Sequence, residues 1–106
     1  MAEKKAVYEG LGKYTHAFTD VFVWEGREYK SLDFDFSRLT GADSLAVENE
    51  LSATGRAAAF PEFSGEYLVR IAARACTTPI GADMIRAMPL KDYNAITRRA
   101  RNFILA

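Results

Sequence analysis

The stretch Tyr14-Thr15-His16-Ala17-Phe18-Thr19-Asp20-Val21-Phe22-Val23-Trp24-Glu25-Gly26-Arg27-Glu28-Tyr29-Lys30-Ser31-Leu32-Asp33-Phe34-Asp35-Phe36 decides the fold. Tyr14, His16 and Phe18 alternate with small or polar neighbours, and Val21 to Trp24 is a run of β-branched and aromatic residues; both patterns signal extended chain. Glu25-Gly26 marks a turn, since glycine takes positive φ without a steric penalty. Alternation then resumes, with Leu32, Phe34 and Phe36 on one face and Asp33, Asp35 and Ser37 on the other. The reading is a β-hairpin over about 14–36 with one apolar side. A lone hairpin is marginal in water, so that side needs a cover.

The downstream sequence supplies a helical one. A helix is expected over about 42–54, opened by Thr40 or Ser37, with Asp43 in its first turn and Gly55 at its end. Its apolar residues (Leu45, Ala46, Val47, Leu51, Ala53) form no clean stripe. Ala57 to Phe63 is a connector, with Pro61 blocking helix continuation. Ser64 caps a second helix, about 64–76, whose Leu68, Ile71, Ala72, Ala75 and Cys76 recur at helical spacing. A short one follows over about 82–88. The last helix, about 89–105, places Pro89 at its first position and Asp92 near its positive end. Residues 1–13 are polar and punctuated by Gly10 and Gly12, and are expected to form a flexible N-terminal arm. Residues 14–106 are read as a single α+β domain, an N-terminal β-hairpin packed on a small bundle of three to four helices.

Composition narrows the function. The chain has 106 residues, 49% hydrophobic and 26% charged, the profile of one globular domain. Its apolar runs are too short to span a bilayer, and Met-Ala-Glu-Lys-Lys is not a secretory start; a cytoplasmic protein without membrane contact is expected. One cysteine, Cys76, excludes an internal disulfide and a cysteine-based zinc site, and one histidine, His16, excludes a multi-histidine metal centre. Leu39-Thr40-Gly41-Ala42 lacks the further glycine and the lysine of a phosphate loop. Cys76, on an apolar helix face among Ile71, Ala72 and Ala75 with no cation expected beside it, reads as an inert thiol. His16 reads as a packed or surface histidine. Asp33 and Asp35 point the same way and could hold a cation or act as an acid–base pair, but alternation already explains them as the wet side of the hairpin. No catalytic, cofactor-binding or metal-binding residue is assigned; a non-enzyme without cofactor is expected.

Charge and apolar surplus point to contacts with other molecules. Formal charge is zero, yet residues 1–63 hold seven basic against eleven acidic side chains, and residues 64–106 hold seven against three. Arg70 with Arg74, and Arg98 with Arg101, share helix faces. Pairing within the fold, or with a protein, ranks above DNA, because a neutral chain is poor footing for phosphate binding. Leu45, Val47, Leu51 and the terminal Phe103-Ile104-Leu105 cannot all turn inward. Either they wrap a small core or they form a docking surface, whose contacts would be Leu45, Val47, Leu51, Ile104 and Leu105 with Arg98 and Arg101 as a charged rim.

Four blocks in order carry a resemblance. They are Phe34-Asp35-Phe36-Ser37-Arg38-Leu39-Thr40-Gly41-Ala42-Asp43, Glu66-Tyr67-Leu68-Val69-Arg70-Ile71-Ala72-Ala73-Arg74-Ala75, Met88-Pro89-Leu90-Lys91-Asp92-Tyr93-Asn94-Ala95-Ile96-Thr97, and Arg101-Asn102-Phe103-Ile104-Leu105. With the opening turn Glu25-Gly26-Arg27-Glu28-Tyr29, they resemble the tail assembly chaperones of Mu-like and P2-like bacteriophages and prophages, over about residues 18–105. The resemblance implies a non-catalytic protein that binds the tape measure protein, keeps it soluble and promotes assembly of the tail tube around it. It further implies residence in the bacterial host cytoplasm, absence from the mature virion, and contact with the tail tube protein. Weak self-association into a homo-oligomer would let many copies coat one long client. Two other classes stay open: a small nucleic-acid-binding regulator using the basic last helix, and a structural tail accessory protein that remains in the particle.

Overall fold

The computed structural model describes residues 12–106. Of the arm expected over residues 1–13, all but Gly12 and Lys13 lies outside the described residues. Lys13 already belongs to the first strand, and Gly12 is buried so close to Ser37 that a Cβ there would come within 2.8 Å of its side chain.

Strand β1 (Lys13–Trp24) and strand β2 (Arg27–Asp35) pair antiparallel. Glu25 (φ 48°) and Gly26 (φ 79°) both turn left-handed. That is the two-residue hairpin turn whose twist matches its strands. The register sets Tyr14 opposite Phe34 and His16 opposite Leu32, then shifts, so that Phe22 faces Tyr29 and Trp24 faces Arg27. Four residues of β1, Phe18 to Val21, therefore oppose Lys30 alone. Such a bulge bends and twists its strand. Here it keeps the even-numbered aromatics of β1 on the covered side while the covered residue of β2 changes from Leu32 to Tyr29. Rings stack along that side, Phe18 on Phe22 at 5.4 Å and Phe22 on Trp24 at 6.3 Å between centroids.

A 3₁₀ turn at Phe36–Arg38, capped by the Asp35 carboxylate, leads into helix α1 (Gly41–Ala53). The Thr40 amide donates to Asp43 Oδ2 at 2.8 Å, which closes the first turn. A second 3₁₀ turn (Pro61–Phe63) precedes helix α2 (Gly65–Ala75), whose Tyr67 amide donates to the capping Ser64 hydroxyl. Helix α3 (Ala82–Arg86) is shorter than the expected 82–88, and Met88 is buried in the link beyond it. In helix α4 (Leu90–Leu105), Pro89 precedes the first turn in extended conformation instead of occupying it.

Helix α2 is the centre of the bundle. It buries Tyr67, Leu68, Val69, Ile71, Ala72 and Ala75, and packs against α1, α3, α4 and the hairpin. Gly65 lets α4 approach: a Cβ there would stand 2.6 Å from the Tyr93 hydroxyl. Leaving α2, the chain forms one bridge with β2, Cys76 to Phe34, and the Thr77 amide donates to Asp33 O at 2.8 Å. Phe34, Phe36, Leu68, Met84, Ile85 and Ile96 fill the space between hairpin and helices. The fold is thus α+β, a two-stranded hairpin followed by four helices. Among the described residues, no helix is long and apolar enough to cross a membrane.

Candidate functional site

The anticipated contact residues divide into two groups. Val47 and Leu51 are 0% and 1% exposed, because the faces of α1 they occupy lie against the core. They are structural, and the expectation that they meet a partner is corrected. Leu45, on the other side of the same helix, is 63% exposed. On α4, Leu105 is 57% exposed, Ile104 is half-buried against the core, Arg98 is exposed and Arg101 is half-buried. Leu45 lies on α1 and the other four on α4, helices that both pack on α2; the structure does not gather all of them into one site.

What it brings together at the end of α4 includes two residues that sequence reasoning passed over. Arg101 Nε donates to the main-chain oxygen of Glu62 at 3.2 Å, which pins the Pro61–Phe63 turn beside the last turns of α4. Phe60 and Phe63 flank that point, 68% and 66% exposed, and Leu105 lies one helical turn beyond Arg101. From Pro61 a shallow groove of about 180 Å³ continues toward α1, floored by Leu51 and walled by Glu48, Ser52, Ala57 and Ala58. Large side chains left this bare are costly in water; covering each contributes about 1–2 kcal/mol. The available signal was two phenylalanines in a connector with no periodicity to bury them.

Basic residues of the second half sort by partner. Arg70 pairs with Glu50 and Glu66, Arg74 with Asp43 and Glu50, and Arg86 with Glu66. Arg56 joins the same network through Glu66. The Glu66 carboxyl is held below its ordinary range, first by its hydrogen bond from Arg86 and further by the charges of Arg56 and Arg70. The acids that neutralise this face come from α1 and α2. Lys91 and Arg98 stand outside the network: among the described residues neither makes an ion pair, and both are exposed.

The remaining chemistry-bearing residues are engaged locally. His16 is buried, with Nε2 at 2.7 Å from Asp92 Oδ1 and Nδ1 at 2.7 Å from the Tyr14 hydroxyl. Burial pushes the Tyr14 phenol up, against the Arg99 guanidinium that sits 5.0 Å over its ring. Asp33 accepts from the Thr15 hydroxyl, and Asp35 from Ser37. Cys76 is buried, and desolvation raises its thiol; a cation is nevertheless close, since Arg38 donates to the Cys76 carbonyl at 2.7 Å. Among the described residues no three His, Cys, Asp or Glu side chains converge as metal ligands. No family model, curated protein or solved structure matches the chain.

Proposed function

We propose that this protein is a non-catalytic chaperone that shields apolar helical segments of a partner. Following the resemblance in the sequence, that partner is the tape measure protein of a phage or prophage, kept soluble while the tail tube assembles around it. One observation carries the reading: Phe60, Phe63 and Leu105 stand exposed around the Arg101–Glu62 hydrogen bond, which ties the Pro61–Phe63 turn to the end of α4. Exposed aromatics and leucines on a fixed frame, edged by charge, are how a protein covers another's apolar surface without precipitating. The role would be exercised in the host cytoplasm and end before the virion is complete.

Co-expression with the tape measure protein tests it. The triple substitution Phe60→Ser, Phe63→Ser and Leu105→Ser leaves helix content unchanged, because none of the three is in the core, and the client moves from the soluble to the insoluble fraction. A client that stays equally soluble with the triple variant removes this surface from the function.

A further inference from the structure

One side of α4, exposed except at half-buried Arg101, carries most of its cations. Lys91, Asn94, Arg98, Arg101 and Leu105 follow one another by three, four, three and four residues. Residues so spaced fall in one row, or seam, along a helix, here about 21 Å long from Lys91 to Leu105. In a paired helix such positions are normally apolar. Here three of the five are cationic and only the last, Leu105, is apolar, with Phe60 and Phe63 at the same end. Among the described residues no carboxylate neutralises the seam. Lys91 and Arg98 make no ion pair among the described residues, and Arg101 gives its Nε to a main-chain oxygen. The neighbouring arginines of α2 and α3 are, by contrast, matched by Glu50, Glu66 and Asp43.

We infer that this seam takes an amphipathic helix whose apolar end sits on Phe60, Phe63 and Leu105 and whose flank carries carboxylates opposite Lys91, Arg98 and Arg101. The inference rests on the proposed shielding role and adds the selection rule: the protein recognises acid-rimmed helical segments and rejects base-rimmed ones. Like charges set opposite each other in such a contact oppose binding, so the sign of the rim discriminates more sharply than the apolar area.

Two synthetic helical peptides with an identical leucine ridge, one rimmed by glutamate and the other by lysine, separate the possibilities by fluorescence anisotropy on the whole protein. The acidic peptide binds at least about tenfold more tightly at low salt. The gap narrows at about 0.5 M salt, where exposed charges are screened within a few ångström. The Lys91→Glu, Arg98→Glu variant, altered only at exposed positions that make no ion pair among the described residues, reverses the preference. Equal binding of both peptides overturns the selection rule and leaves shielding intact; binding of neither overturns shielding itself. Two further outcomes also overturn the inference. One is tighter binding of a duplex oligonucleotide than of the acidic peptide, lost in the same variant. The other is sedimentation of the free protein as a dimer that the variant dissociates, which would make a second copy the occupant.

Discussion

His16 Nε2 lies 2.7 Å from Asp92 Oδ1, tying β1 to the first turn of α4 across 76 positions of sequence, and both residues are buried. The Tyr14 hydroxyl meets the other ring nitrogen, so each polar edge of the imidazole has a partner. The pair therefore clamps hairpin to helix, and it sits beside Phe18, whose ring lies edge-on to the imidazole at 4.9 Å.

Removing one member strands the other. Asp92→Ala is expected to cost about 1–3 kcal/mol, the desolvation penalty of a buried polar group left without its partner. His16→Ala adds a cavity to a similar loss. In a double-mutant cycle by chemical denaturation the two losses fall short of additive by at least about 0.5 kcal/mol, as contacting residues do. Strict additivity would mean that the contact does not hold the elements together.

Val47 and Leu51 give the second test, because their role changes from surface to core. Leu51→Ala is expected to lose about 2–5 kcal/mol, a large part of the stability of a domain this size. Val47→Asp buries a carboxylate with no partner, and the far-ultraviolet circular dichroism of α1 and α2 should collapse. Native spectra from Val47→Asp would show that the α1–α2 contact is dispensable.

The legibility of the sequence follows from which forces act locally. The hairpin turn, the Ser64 cap and the stripe of α2 are written in neighbouring residues, and the α+β architecture could be read from them. Helix α1 was harder. Its apolar residues scatter around the axis, so period alone could not tell exposed Leu45 from buried Val47 and Leu51. That choice is made by α2 and the core beside it. The bulge at Phe18–Val21 left no mark either, since even-numbered aromatics continue through it and the parity change falls on β2. At the candidate site, Leu105, Arg98 and Arg101 were visible because the final helix is strongly two-faced. Phe60 and Phe63 were not, because their exposure depends on a turn fixed by Arg101, some forty residues later. The His16–Asp92 contact is of the same kind: each residue alone has an ordinary local explanation.

Cys76 offers a probe of the bridge between α2 and β2. Burial raises its thiol, with the Thr78 backbone and Arg38 only partly offsetting the effect, so little thiolate is present near neutral pH and the sulfur is covered. A disulfide reagent at about pH 8 should react at least about tenfold more slowly than with a free thiol and reach full stoichiometry on unfolding. Arg38→Ala frees the carbonyls of Arg74 and Cys76 that it now holds, and labelling should accelerate through the loosened bridge, even though the thiol also loses a cation that lowers it. Fast labelling of the native protein would show that the Cys76–Phe34 bridge opens readily.

The arginine network makes a prediction whose sign can be worked out. Glu66 and Asp43 titrate below their ordinary values of 4.5 and 3.8, Glu66 chiefly through Arg86 and Asp43 chiefly through the Thr40 amide. A carboxyl whose folded value is depressed binds protons more readily when unfolded, so its contribution is full above the ordinary value and disappears as pH falls through the folded one. The melting temperature should therefore hold level above about pH 5 and decline below it. Glu66→Gln removes one carboxylate shared by Arg56, Arg70 and Arg86. These pairs are partly exposed, so the loss at neutral pH is about 1 kcal/mol or less, no more than about 4–8 °C in a domain of this length. The variant's curve should meet the wild-type curve at acid pH, where Glu66 is protonated in both states. An offset that stays constant from neutral to acid pH would mean that Glu66 acts through packing and not through its charge.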